Sequence, residues 1–506
     1  MSPKRKKENT VKESTQPILE QAPSQNLVEN TVKINKKVKS HKKSTLKKKT
    51  YRASSKGIYP NQISRNALFV IEQLQTKGFE AYVVGGCLRD ILLGKKAKDF
   101  DIATNARPEQ IQKVFQRRCL IIGRRFRLAH ILLGRELIEV ATFRASHTEA
   151  TNNAFAKQND QGMLLRDNVY GNLEDDAQRR DFTVNALYYD PQTDSLYDFF
   201  NGLQDLKQGK LSLIGDPIKR YQEDPVRMLR AIRFMAKLDM FLAPTTAEPI
   251  KQTASLLQNI PAARLFDESL KLLQSGYGLK TYRLLREYGL FQQLFPLLVP
   301  FFTAKGDSYT EKMIVAALGS TDERIRDQLR INPAFLFAAF LWYPLREKIE
   351  ILKNEGGLNN HDAYSLAITE LLAELGRRVA VLRRHMVTIR DIWMLQLHLN
   401  KCTGKRPQLT FEHPKFRAAY DLLAMRAEIE GGDVIKLTAW WHEYQLSTVQ
   451  QREALVQIEG QRQSKTKQDK KKKYQHRIKR KKSHSKKAAL AVASTVLVAG
   501  LANGAS

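Results

Sequence analysis

Apolar residues first recur at helical spacing at Ala67, Leu68, Val70, Ile71 and Leu74, and the stripe stops at Gly78, which predicts a helix over this stretch. Ala81 to Val84 predicts a short strand broken by Gly85-Gly86. Leu88 to Leu92 predicts a second helix, with Gly94 just past its end. Asp99 to Ala103 reads as another strand, and Leu128 to Leu133 with Leu137 to Phe143 predict a hairpin turning at Gly134, Arg135 and Glu136. From Ala145 to Gln161 the chain turns polar, rich in Asn, Thr and Gln, and predicts a mobile loop. Beyond about Asp216, long amphipathic stretches replace strand patterns. The expected fold class is α+β, a small α/β head followed by a mostly helical body.

Charge changes the picture at the two ends. The 506 residues carry a net charge of +32. Residues 1–56 hold 16 Lys/Arg against 4 Glu, and residues 461–487 hold 14 against 1 Asp, so +12 and +13 leave only about +7 for the rest. Both tails are expected to be disordered arms that contact RNA by counterion release, with solubilising tails as the plainer alternative. Three scattered cysteines, Cys87, Cys119 and Cys402, exclude a disulfide framework and a zinc site, which implies a reducing, cytoplasmic setting. The charged opening MSPKRKKENT has no apolar core, so a secretory signal is not expected there. Ala488 to Ala502 is an apolar run of about 15 residues, short of the roughly 20 that a spanning helix needs.

The chemistry centres on Asp99-Phe100-Asp101-Ile102. On a strand the two carboxylates share one face about 7 Å apart, an arrangement that repels unless a cation intervenes. Glu139, inside the apolar run Leu137 to Ala141, repeats the anomaly. Three carboxylates on adjacent strands would form an oxygen-only site suited to Mg²⁺. Gly85 and Gly86, with Arg89 and Asp90, add a turn that lets a phosphate approach the backbone. Cys87, inside this turn, reads as a packing residue. His361-Asp362 lacks partners for a metal-hydrolase role. Trp393, Trp440 and Trp441, and the run from Phe335 to Leu341, read as body core.

The blocks GGCLRDILLGKKAKDFDIAT, IEVATFR, RRDFTVNALYYD and EDPVRMLRAIRF resemble the nucleotidyltransferases that include bacterial poly(A) polymerases and CCA-adding enzymes. The stretch Ile121 to Ile131, with Arg124, Arg125 and Arg127, is similar to poly(A) polymerases in particular, and these arginines also suit an RNA backbone. The resemblance implies that Asp99 and Asp101 bind two Mg²⁺ ions (Mn²⁺ as a substitute), that Glu139 helps activate the primer 3′-hydroxyl, and that ATP is the substrate. It assigns nucleotide binding to Gly85, Gly86, Arg89, Asp90, Arg179, Arg180, Asp181, Asn185 and Arg230, and base reading to Asp224 and Arg227. Asp181 and Asn185 are expected to share a helix face. Asp224 also reads as a helix N-cap before Pro225, with Arg227 and Arg230 on one face.

The expected division is a basic arm at 1–56, a nucleotidyltransferase head with a mixed sheet at 57–215, a helical neck at 216–280 that reads the base and binds RNA, a helical body at 281–455, and a basic tail at 456–506. The expected activity is polyadenylation of RNA 3′ ends without a DNA template, the tails recruiting RNA and RNA-decay or RNA-chaperone proteins. A CCA-adding enzyme and a non-catalytic RNA-binding scaffold are the alternatives.

Overall fold

A computed structural model describes residues 48–123, 127–145, 156–158, 164–167, 169–465 and 468. Arg124, Arg125, most of both basic arms, the apolar run Ala488 to Ala502 and most of the polar segment after Ala145 lie outside the described residues. All of the described residues belong to one unit of the chain.

The head begins with β1 (Lys49–Arg52), α1 (Arg65–Thr76), β2 (Ala81–Val84), α2 (Gly86–Leu92), β3 (Asp101–Thr104), α3 (Pro108–Phe115), β4 (Cys119–Ile122), β5 (Leu128–Leu133) and β6 (Glu136–Thr142). It continues with β7 (Ala156–Gln158), β8 (Leu164–Asp167), α4 (Leu173–Arg179), β9 (Leu187–Asp190), β10 (Ser195–Asp198), α5 (Gly202–Gln208) and β11 (Lys210–Leu211). Eight strands form one mixed sheet in the order β1-β10-β9-β2-β3-β6-β5-β4, in which β3 and β6 run parallel and the other pairs are antiparallel.

Three expectations need correction. β1 lies inside the segment expected to be a disordered arm, because Lys49 to Arg52 pair with Ser195 to Asp198 at the sheet edge. The polar segment after Ala145 is not loop throughout, since β7 pairs with β8. The DxD strand starts at Asp101, which leaves Asp99 in the preceding loop.

One face of the sheet packs against α1, α2 and α3, with Val83, Ile102, Ile131, Ile138 and Val140 all fully buried. On the other face, Leu173 and Ala177 of α4 cover Val84, Ala103 and Tyr188, so this helix roofs the β9-β2-β3 half. The β6-β5-β4 half keeps exposed side chains.

The chain then turns helical through α6 (Pro217–Glu223), α7 (Val226–Leu238), the short β12 (Phe241–Leu242), α8 (Pro244–Thr253) and α9 (Ala262–Leu273). Further helices run to Asp433–Leu446. α7 is amphipathic at a period of about 3.6 residues, burying Met228, Leu229, Ile232 and Phe234, and a single core joins it to both head and body. The predicted body anchors hold. Trp393 and Trp441 are fully buried and donate their indole N–H groups to the carbonyls of Ala338 at 2.9 Å and Leu399 at 2.8 Å. Trp440 is partly buried against the same cluster as Trp441. No helix among the described residues is long and apolar enough to cross a membrane.

Candidate active site

A cleft of about 380 Å³ opens where the sheet meets α4 and α7, within the size range of small-molecule sites. Gly85, Gly86, Arg89, Asp101, Arg179, Arg180, Asp181, Asn185, Asp224, Arg227 and Arg230 all line it. Three separate sequence blocks therefore converge. Five arginines against three aspartates make the lining net positive, a surface for a polyphosphate. Asp90, Asp99, Glu139 and Arg127 are not part of the lining, and Phe234, which sequence reasoning passed over, is.

Gly85 ends β2 with φ 84° and ψ −133°, a conformation closed to side-chain-bearing residues. Arg89 is 4% exposed and already held. It donates twice to Asp90 Oδ1, at 2.8 and 2.6 Å, and once to Asn185 Oδ1, at 2.7 Å. Asn185 in turn donates to Asp181 Oδ1 at 3.0 Å, and Arg230 donates to Asp181 Oδ2 at 2.8 and 2.5 Å. This relay ties α2, the Asp181 turn and α7 together. Asp181 and Asn185 do meet, but not on a helix face: α4 ends at Arg179, and residues Thr183–Asn185 form a 3₁₀ turn. Burial works against the Asp181 charge, yet Arg230 and the Asn185 amide outweigh it and hold the carboxyl well below the usual range.

Arg180 pairs with Asp176 at 3.0 Å, and Asp176 also accepts from the Tyr188 hydroxyl at 2.7 Å. Burial pushes the Arg179 guanidinium down to about 9, and the charges of Arg144, Arg220 and Arg227 add to the effect. Arg220 binds the carbonyls of Arg179 and Arg180, both at 2.6 Å, and so fixes the end of α4 over the cleft.

The base-reading candidates are braced too. Arg227 donates to Glu223 Oε2 at 2.9 Å and to the Arg220 carbonyl at 2.8 Å. Asp224 is not the N-cap that was expected, since Pro225 holds that position and α7 starts at Val226; its carboxylate accepts from the Val226 N–H at 3.3 Å, and it also receives Arg264 Nη2 from α9 at 2.8 Å. Nothing in the local sequence pointed to Arg264, which lies 40 residues away. Phe234 meets three guanidinium groups, Arg89 at 5.0 Å, Arg233 at 5.3 Å and Arg230 at 5.5 Å from its ring centre.

At the mouth of the cleft, Asp101 pairs in register with Glu139 across β3 and β6, so both project from one face. Glu139 is not an embedded charge as its sequence context implied. It alternates outward between the buried Ile138 and Val140. Water reaches Asp101, yet the surrounding protein desolvates its carboxyl enough to raise it above its ordinary value; Glu139 and Asp99 add to the rise and Arg180 opposes it. Among the described residues no three acidic, imidazole or thiol groups are drawn to ligand distance. The donor chemistry nonetheless fits a hard divalent cation, which would relieve the repulsion felt at Asp101.

Arg127 pairs with Glu109 at 2.5 Å beside the β4-β5 connection. Cys87 is buried, and desolvation pushes its thiol up to about 12, as a packing residue requires. His361 and Asp362 are exposed side chains on a body helix.

This fold and cleft define a nucleotidyltransferase head on a helical body. Family models match in three places: the poly A polymerase head domain at 81–212, the probable RNA and SrmB-binding site of polymerase A at 239–302, and the polymerase A arginine-rich C-terminus at 356–482. The chain is 68% identical to poly(A) polymerase I of Haemophilus influenzae over 81% of this chain and 91% of that protein. It is 54% identical to poly(A) polymerase I of Escherichia coli O6:H1 over 76% and 83%. The chain belongs to the bacterial poly(A) polymerase family. Its fold is similar to that of the Thermotoga maritima CCA-adding enzyme complexed with tRNA, at TM-score 0.52 and 20% identity over 79% of this chain and 88% of that one.

Proposed function

We propose that this protein adds adenylates to RNA 3′ ends without a template, transferring AMP from ATP to the terminal hydroxyl. The observation that supports this reading best is the convergence of ten sequence-assigned nucleotide residues with Asp101 in one positively lined cleft. The arginines hold the triphosphate, and Asp181 and Asn185 keep α2 and α7 at fixed spacing around it. Asp224 and Arg227, each braced by a second residue, present an acceptor and donors to the base edge. Bound Mg²⁺, or Mn²⁺ in its place, supplies positive charge at the transferring phosphoryl group, with Asp99 and Asp101 the residues that would hold two ions. Glu139, beside Asp101, takes up the hydroxyl proton. The 3′-oxygen then bonds to the α-phosphorus as the α–β bridging bond breaks, and pyrophosphate leaves. The head at 57–215 performs the transfer, the neck at 216–280 reads the base and the body at 281–455 supports it. The basic arms gather RNA, and with it RNA-decay or RNA-chaperone proteins, in the cytoplasm.

The test offers each nucleoside triphosphate separately to a generic RNA and to a tRNA lacking its 3′ end. Long extension of both RNAs with ATP alone is expected. Two additions to the tRNA with CTP alone, and none with ATP alone, would identify a CCA-adding enzyme instead.

A further inference from the structure

Among the described residues, the sheet face that bears Asp101 is only half covered. Beyond Glu139, away from the nucleotide cleft, four large aliphatic side chains on three adjacent strands face solvent: Leu120 at 67%, Leu132 at 54%, Leu137 at 46% and Ile122 at 41% exposure. Single exposed leucines are ordinary, whereas a contiguous patch marks a binding surface. The strand register shows that these side chains share the face of the carboxylates. Leu120 pairs with His130, His130 with Glu139 and Glu139 with Asp101, which makes one row from the edge strand to the reacting corner. Ile122 and Leu128 flank this row on one side, and Leu132 and Leu137 on the other. Four strands at about 4.8 Å spacing give a track of roughly 14 Å, the reach of about two nucleotides. His130 Nε2 lies 3.4 Å from Glu139 Oε1 and is buried without a hydrogen bond.

We infer that this aliphatic face of β4, β5 and β6 is the seat of the last two nucleotides of the RNA primer. The inference rests on the polymerase reading above. The cleft built on β2, α2, α4 and α7 meets Asp101 from one side, so a second substrate must reach the same carboxylate from the other. In-line attack demands that approach. Flat aliphatic surface accepts any base face, as a polymerase that ignores primer sequence requires. Arg117 and Arg118 before β4 and Arg135 in the β5-β6 turn are exposed at the strand ends, where a backbone entering over the edge would carry its phosphates.

The experiment compares Leu120→Glu with Leu120→Lys in the full-length protein, two exposed changes of similar bulk and opposite charge. We expect the RNA KM of the Glu variant to exceed that of the Lys variant by about tenfold, with the ATP KM the same in both. A 4-thiouridine at the penultimate primer position should crosslink to β4 or β5. Equal RNA KM values for the two variants, or crosslinks confined to other segments, would overturn the inference and leave the face to a protein or to another part of this chain. If the parent protein fails to extend RNA with ATP at all, the polymerase reading itself falls.

Discussion

The two sides of Asp101 are built on opposite principles. In the nucleotide cleft nearly every charge is answered: Arg89 by Asp90 and Asn185, Arg180 by Asp176, Arg227 by Glu223, Arg230 by Asp181 and Asp224 by Arg264. At the carboxylate corner, Asp101 feels burial and two like charges, with Arg180 alone among the described residues to offset them. The first side is assembled before substrate arrives and loses little entropy on binding. The second is electrostatically incomplete, and a cation completes it. On the proposed function, recognition is thus rigid and reactivity is conditional on metal.

The sharpest break in that comparison is Asp101→Ala. It should lower AMP incorporation by at least about 10³-fold, measured by primer extension at saturating ATP, because it removes a ligand at the point where charge develops. RNA retention on a filter should stay close to that of the parent protein, since the proposed RNA contacts of the basic arms do not involve Asp101. Undiminished incorporation would remove Asp101 from the chemistry.

Sharpening the rigid side calls for a smaller change. Arg264 approaches Asp224 from a separate helix, with its guanidinium about one-third exposed. Arg264→Ala frees the Asp224 carboxylate to turn while leaving the Val226 N–H as its remaining donor. The ratio of ATP to CTP in kcat/KM should fall by about tenfold, with thermal stability little changed. A uniform loss for both nucleotides would mean that Arg264 supports the fold and not the choice of base.

How far the sequence revealed this architecture follows from physical context. β2 and the β5-β6 hairpin were legible because glycines bound them and their apolar runs are local. β9 was not: all four of its residues are buried between two covered faces, so Leu187 to Asp190 show no alternation. β1 is an edge strand whose exposed lysine and arginine blend into the basic arm. At the site, motif spacing foretold which residues gather but not how they are held. Arg264 enters from 40 residues away, Asp181 and Asn185 meet through a 3₁₀ turn, and Glu139 reveals its exposure only through its register with Asp101. Distant partners of this kind leave no trace in local periodicity.

The smallest expected effect tests the incomplete side by itself. The Asp101 carboxyl holds its proton more tightly in the folded protein than in the unfolded chain. The folded state therefore binds more protons across the window from the ordinary carboxylate range up to the raised value, and stability falls as pH rises through it. At neutral pH the full penalty is present, discounted because Asp101 is in contact with water. Asp101→Asn removes that charge while keeping its shape. In chelator at pH 7.5 the variant should melt about 1–2 °C above the parent, and the gap should close near pH 3.5, where the parent carboxyl is protonated. Added magnesium should reverse the order, raising the parent Tm and leaving the variant where it was. A variant that melts lower in chelator would show that Asp101 is already neutralised by the protein, and the contrast between the two sides would fail.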